Sequence, residues 1–134
     1  MSQYLVGVDL GTSACKTVIF TVEGEKVSEA IKEYPVYHPQ ARWAEQNPKE
    51  WWNAAIETIR TSFHKAHINM DELAGLSATS QREAVVPLGK KGEVLYNAII
   101  WLDNRTGHQV EVIRQLLSQE EVLKTTGVAI DPIY

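Results

Sequence analysis

The spacing of apolar and polar positions changes character several times along the chain. Tyr4-Leu5-Val6-Gly7-Val8 is an apolar run that ends at Asp9 and leads into Gly11-Thr12-Ser13. That pattern predicts a strand and a tight turn. The β-branched run Thr17-Val18-Ile19-Phe20-Thr21-Val22 predicts a second strand, Glu23-Gly24 a turn, and residues 26–34 a third, more polar strand. Turns this short join antiparallel neighbours, because parallel neighbours need a long crossover, so the three form a meander.

Residues 37–46, with Pro39 and Trp43, read as a loop. Asn47-Pro48-Lys49-Glu50 then starts a helix, with Asn47 as N-cap, Pro48 in the first turn and Glu50 at the capping-box position. Trp52, Ile56, Ile59, Phe63 and Ala66 recur at helical spacing and predict one buried stripe. His64 and His67 fall at its polar margin and read as solvated helix-end residues. Residues 73–79 are a strand that follows a helix, as a parallel crossover requires. Residues 84–88 and 94–101, separated by Gly89-Lys90-Lys91-Gly92, predict a hairpin. A helix over 105–118 is expected to bury Val110, Ile113, Leu116 and Leu117, with a short helix over 120–125. The order predicts one mixed sheet with helices on its faces, an α/β or α+β layer architecture.

Composition narrows the class. Of 134 residues, 44% are hydrophobic and 22% charged, the balance of a globular domain and not of a disordered chain. The length suits one ordinary domain. Apolar runs are too short for a transmembrane helix, and no basic segment followed by an apolar one opens the chain, so a cytoplasmic location is expected. The single cysteine, Cys15, rules out an internal disulfide and a cysteine-based zinc site. It also fits a reducing compartment. Thirteen Lys and Arg against 17 Asp and Glu give a net charge of -4, which does not suit a nucleic-acid partner.

The sharpest chemistry lies in Asp9-Leu10-Gly11-Thr12-Ser13-Ala14-Cys15-Lys16. A glycine lets backbone approach a ligand, and successive N–H groups in a turn form an anion nest. Thr12 and Ser13 add hydroxyl donors for phosphate oxygens. Asp9 at the strand end offers a hard oxygen to Mg²⁺, and Lys16 offers a charge to offset phosphate. A Walker loop fails here, because Cys15 precedes Lys16 and a strand follows where a helix is required. An ordinary hairpin using Asp, Gly and Ser as turn residues is equally compatible with the octet alone.

Several segments together carry a resemblance. Asp9-Leu10-Gly11-Thr12-Ser13 resembles the first phosphate motif of the superfamily that holds actin, heat-shock chaperone ATPases and sugar kinases. Within it the whole chain resembles the N-terminal part of the FGGY carbohydrate kinases, which include glycerol kinase, xylulokinase and gluconokinase. Residues 41–52, ARWAEQNPKEWW, are similar to the family's G-W-x-E-Q-D-P-x-x-W-W stretch. Ser80-Gln81-Arg82-Glu83 resembles the glycerol kinase N-Q-R-E. Residues 96–106 match a strand ending in W-x-D-x-R-[ST], and Thr126-Gly127 with Ile130-Asp131-Pro132 resembles a T-G…D-P segment.

The resemblance implies a ribonuclease H-like fold of the actin-like ATPase superfamily, with residues 1–134 as a partial N-terminal domain. It implies transfer of the γ-phosphoryl group of ATP, with Mg²⁺, to a hydroxyl of a small sugar or polyol. Asp9 would lie near the metal, Gly11, Thr12 and Ser13 would form the phosphate loop, and Lys16 would be the basic residue after it. Arg82 and Glu83 would orient substrate hydroxyls, and Trp101 would pack against the carbon skeleton. Asp103 and Arg105 either reach the same pocket or cap the next helix. Trp43 and Glu45 read as structural, a loop plug and a solvated or capping carboxylate. The family's general-base Asp and adenosine contacts would lie downstream of residue 134.

Two departures bear on the substrate. Ile133, which has no hydroxyl, follows Asp131-Pro132 where glycerol kinases carry a substrate-contacting Tyr, and Tyr134 comes one place later. Xylulokinases usually carry a histidine-containing segment where Arg82-Glu83 stands. The implied partners are a sugar or polyol and the remainder of the same chain, with no membrane or nucleic acid. The end at Tyr134 reads as a cut through a domain, so a fragment without turnover and prone to self-association or a homo-oligomer is expected. Two other classes stay open: another ATPase of the superfamily, and a non-catalytic binding module that keeps the fold.

Overall fold

Burial alternates along the first strands, which is the period-two signature of a sheet with one face packed and one open. The computed structural model describes residues 3–134. Its elements are strands β1 (Tyr4–Leu10), β2 (Ala14–Thr21), β3 (Lys26–Glu33) and β4 (Glu45–Gln46), helix α1 (Pro48–Ala66), a 3₁₀ turn (Met70–Glu72), strands β5 (Leu73–Ser80) and β6 (Ala98–Ile99), and helices α2 (Gly107–Leu116) and α3 (Gln119–Thr126). They fall into two compact units. The first holds the described chain up to Pro35 together with Asn47–Gln81, and the second holds Val36–Gln46 and Arg82–Tyr134.

The first unit is a four-stranded sheet in the order β3-β2-β1-β5. β1, β2 and β3 form the expected antiparallel meander, and β5 returns parallel to β1 after α1. Val6, Val8, Cys15 and Ile19 from the sheet pack with Tyr34, Ala54 and Phe63 into the core. Burial of side chains the size of Ile19 and Phe63 contributes about 1.5–3 kcal/mol each. The other sheet face is open: Leu5 and Ile31 are exposed there.

Helix α1 begins with the expected Asn47 cap and proline. Asn47 is extended, its Oδ1 accepts the Lys49 N–H at 3.0 Å, and Pro48 follows in the first turn. The helix stops at His67, whose left-handed backbone (φ 54°) lets its N–H close on His64 O. Of the expected stripe, Phe63 lies in the core with Ile59 and Ala66 packed against it, but Trp52 does not. Trp52 is 68% exposed, and the buried residues are Ala54, Thr58, Ser62 and Phe63. Small side chains at i, i+4 and i+8 let the helix lie close to β2, and their hydroxyls bond to the sheet. Thr17 Oγ1 donates to Thr58 Oγ1 at 2.8 Å, and Ser62 Oγ to Thr17 O at 3.3 Å. Ser28 Oγ donates to Ser62 O at 2.8 Å. An apolar count misses a face built from hydroxyls that satisfy one another.

The four-stranded sheet is the expected mixed sheet, but the segments after β5 do not join it. β4 emerges from the segment read as loop and pairs antiparallel with β6. The predicted hairpin shrinks to the bridges Leu88↔Val94 and Val85↔Ile99. Pro87 lacks the N–H a ladder needs, and contributes its carbonyl to Leu95 N–H at 3.0 Å. α2 is shorter than expected, and only Val110 of its apolar residues is buried, while Ile113, Leu116 and Leu117 are exposed. Their spacing identifies a face, but among the described residues no element covers it. No helix among the described residues is long and apolar enough to cross a membrane.

Candidate active site

The residues expected to form a phosphate loop occupy the tight connection from β1 to β2. Gly11 N–H donates to Ala14 O at 3.0 Å, closing the hairpin. A Cβ at Gly11 would sit 3.3 Å from that same oxygen, so a side chain here would push on the Ala14 carbonyl. Ser13 is exposed and Thr12 half-buried. Two bonds hold the turn from β3's end: Tyr34 N–H donates to Ser13 O at 3.1 Å and Tyr34 Oη donates to Gly11 O at 2.6 Å. Burial, reinforced by nearby Cys15 and Asp9, pushes the Tyr34 phenol up to about 12, so it remains a donor.

Asp9 sits one residue from the end of β1 and is exposed. Its register partners are Lys16 on β2 and Thr79 on β5. The three border a shallow depression of about 270 Å³ on the open sheet face, with Val18 and Phe20 in its floor. Lys16 is not simply waiting for phosphate: its Nζ lies 2.9 Å from Glu29 Oε2. The hydrogen bond and charge of Lys16, with Lys26 further away, hold the Glu29 carboxyl below its usual range. Among the described residues no group of three or more His, Cys, Asp or Glu side chains is placed to hold a metal ion. One exposed carboxylate beside a loop of N–H donors fits Mg²⁺, which keeps most of its waters and takes one or two carboxylates plus phosphate oxygens.

The residues expected at the sugar belong to the second unit. Arg82 and Glu83 form a loose pair, Nε to Oε2 4.0 Å, with the Arg82 side chain 87% exposed. Glu83 has φ 51°, a left-handed conformation unusual for a residue with a Cβ. Trp101 is also exposed, the second residue of a turn closed by Asp103 N–H to Ile100 O at 2.8 Å. Both ends of that turn are held by Ala44. Its carbonyl accepts Ile100 N–H at 3.2 Å, and its N–H donates to Asp103 Oδ2 at 2.7 Å.

Asp103 therefore faces inward. It is 4% exposed, and both of its oxygens accept from Arg105, Oδ1 also from the Arg105 backbone. It does not cap α2, whose N-cap is Thr106. Arg105 reaches on to Glu45 Oε1 at 2.7 Å and lies 3.7 Å over the Trp43 ring. Glu45, expected as a solvated or capping carboxylate, is buried and also accepts from Tyr96 Oη at 2.7 Å and Asn97 Nδ2 at 3.2 Å. Burial raises the Glu45 and Asp103 carboxyls, but the bonds they accept, from Arg105 first, outweigh it and leave both below their usual values. The bonds to Asp103 raise Arg105, keeping it fully charged.

Tyr34 and the Glu45 cluster went unrecognised in the sequence. Tyr34 merely ends a polar strand, and Glu45 and Arg105 are 60 positions apart. Trp43-Ala44-Glu45-Gln46 shows no alternation of apolar and polar residues, so nothing in it marks the consecutive burial of Ala44, Glu45 and Gln46.

A mixed sheet with helices packed on it is the fold of the actin-like ATPase class. Solved structures agree. Gluconate kinase from Lactobacillus acidophilus superposes with a TM-score of 0.88 at 30% identity, covering 97% of this chain and 26% of that one. Xylulose kinase from Rhodospirillum rubrum matches with a TM-score of 0.88 at 26% identity, over 96% of this chain and 26% of that one. Among curated relatives, glycerol kinase from Ralstonia pickettii (strain 12J) is 35% identical over 133 residues, 98% of this chain and 27% of its own length. Residues 4–134 match the model of the FGGY family of carbohydrate kinases, N-terminal domain, and the chain belongs to that family. It spans about a quarter of the length of the relatives it matches.

Proposed function

We propose that this chain is the phosphate-loop and substrate-binding part of an ATP-dependent kinase that phosphorylates a hydroxyl of a small sugar or polyol. The observation that carries the reading is Asp9: an exposed carboxylate two residues before a Gly-Thr-Ser turn, in a chain of the FGGY family. MgATP supplies the γ-phosphoryl group. With the Gly11 N–H engaged by Ala14 O, the Thr12-Ser13 tip of the turn would bind its phosphates, and Asp9 would hold the metal. Catalysis of this type is positioning and neutralisation of charge on the group in transfer. Lys16 supplies charge at the rim, moderated by Glu29.

Arg82 and Glu83 bind the acceptor. Arg donates and carboxylate accepts, so the pair can orient two neighbouring hydroxyls, and a substrate lacking one leaves them unsatisfied. A 4.0 Å ion pair this exposed contributes little to stability, and a left-handed Glu83 costs some, which favours a binding role over a structural one. The exposed Trp101 packs its ring on the carbon skeleton. Asp103 acts through that ring's turn, as a positioning residue. Cytoplasmic metabolism is the setting this chemistry fits.

The test is phosphoryl transfer from γ-labelled ATP by the intact protein across glycerol, xylulose, ribulose and gluconate. A labelled sugar phosphate from one of them is the expected result; ATP turnover that no acceptor stimulates would favour another ATPase of the superfamily. Ile133 after Asp131-Pro132 makes glycerol the less favoured acceptor.

A further inference from the structure

We propose that Tyr34 is a positioning residue for the phosphate loop, clamping the Gly11 and Ser13 carbonyls and so fixing the direction of the loop's N–H groups. The proposal rests on the kinase reading above and adds to it a residue outside the Asp9–Ser13 motif. Its basis is the two bonds from one residue to one turn, Oη to Gly11 O at 2.6 Å and N–H to Ser13 O at 3.1 Å. In a trans peptide the carbonyl and the next N–H point opposite ways, and no peptide bond among the described residues is cis. Drawing the Gly11 carbonyl toward Tyr34 therefore turns the Thr12 N–H to the opposite side. The Ser13 carbonyl does the same for Ala14 N–H.

The clamp is anchored where the loop itself is not. Tyr34 is 8% exposed and packs with Val6, Val8, Cys15, Ile19, Ala54 and Phe63, so the core under the sheet sets the geometry of an exposed turn. A phenylalanine would fill the same space. Only the hydroxyl reaches Gly11, and a phenol pushed up by burial donates throughout the ordinary pH range.

The test is Tyr34→Phe in the intact protein, with Tyr34→Leu as the packing control. Three quantities are read: KM for MgATP, KM for the acceptor, and amide hydrogen exchange at residues 11–14. Loss of one part-buried hydrogen bond predicts a rise of about three- to tenfold in the nucleotide KM. The acceptor KM should hold, and exchange in the loop should quicken. Unchanged nucleotide KM and unchanged exchange in Tyr34→Phe, with a defect only in Tyr34→Leu, would overturn the proposal in favour of space-filling. Absence of nucleotide binding by the wild type would sink the kinase reading instead. Exchange then decides the clamp alone: faster in Tyr34→Phe upholds it, unchanged refutes it.

Discussion

Arg105 Nη2 lies 2.7 Å from Glu45 Oε1, joining two segments 60 positions apart in a buried ion pair. The same guanidinium binds Asp103 and covers Trp43. Glu45→Ala leaves the guanidinium on Asp103 but takes the acceptor from Tyr96 Oη and Asn97 Nδ2. It should therefore lower stability by about 1–3 kcal/mol, read from denaturant unfolding. A loss below about 0.5 kcal/mol would place the pair with ordinary surface bridges.

The same cluster fixes an acid response. Glu45 and Asp103 titrate lower in the folded chain than carboxyls normally do. A depressed folded value adds stability that is complete above the unfolded value, about 4. It is lost as pH falls through the folded one. Stability should thus decline below about pH 4, and the acid limb should be shallower in Glu45→Gln. Unfolding midpoints across that range measure the slope; identical slopes in variant and wild type would contradict the assignment.

Thr17 and Thr58 test how α1 is held to the sheet. Their 2.8 Å bond is buried between β2 and the helix. Thr58→Val removes one partner and strands a hydroxyl, at a cost of about 1–3 kcal/mol. Adding Thr17→Val should recover part of that loss, because neither partner is then left unmatched. A thermal or urea double-mutant cycle measures the coupling, and strict additivity would argue against it.

These hydroxyls also mark where sequence reading stopped. The meander, the Asn47 cap and the parallel return of β5 were legible because they depend on neighbours in sequence: turn residues, a cap and a crossover length. The buried face of α1 was legible only at Phe63, Ile59 and Ala66, since Thr58 and Ser62 look like surface residues until Thr17 and Ser28 are placed opposite them. Trp52 falls in the stripe by its helical spacing and is exposed instead. In the site, Asp9 through Ser13 announce themselves as one contiguous motif. Glu45 does not, because what makes it structural is an arginine far along the chain.

Arg82 and Glu83 provide a test of recognition separate from folding. Glu83→Asn keeps a residue tolerant of the left-handed backbone and removes the carboxylate. The unfolding midpoint should hold, while kcat/KM for the acceptor should fall by roughly ten- to a hundredfold, the worth of a charge-assisted hydrogen bond. A variant with wild-type acceptor kinetics would remove Glu83 from the binding site.

The most direct test of the central claim is steady-state kinetics of Asp9→Asn and Arg82→Ala in the intact protein, with nucleotide and acceptor varied separately. The account predicts a split. Asp9→Asn should lose most turnover while acceptor affinity is kept, and Arg82→Ala should raise the acceptor KM while nucleotide binding is kept. Wild-type turnover in both variants would contradict it.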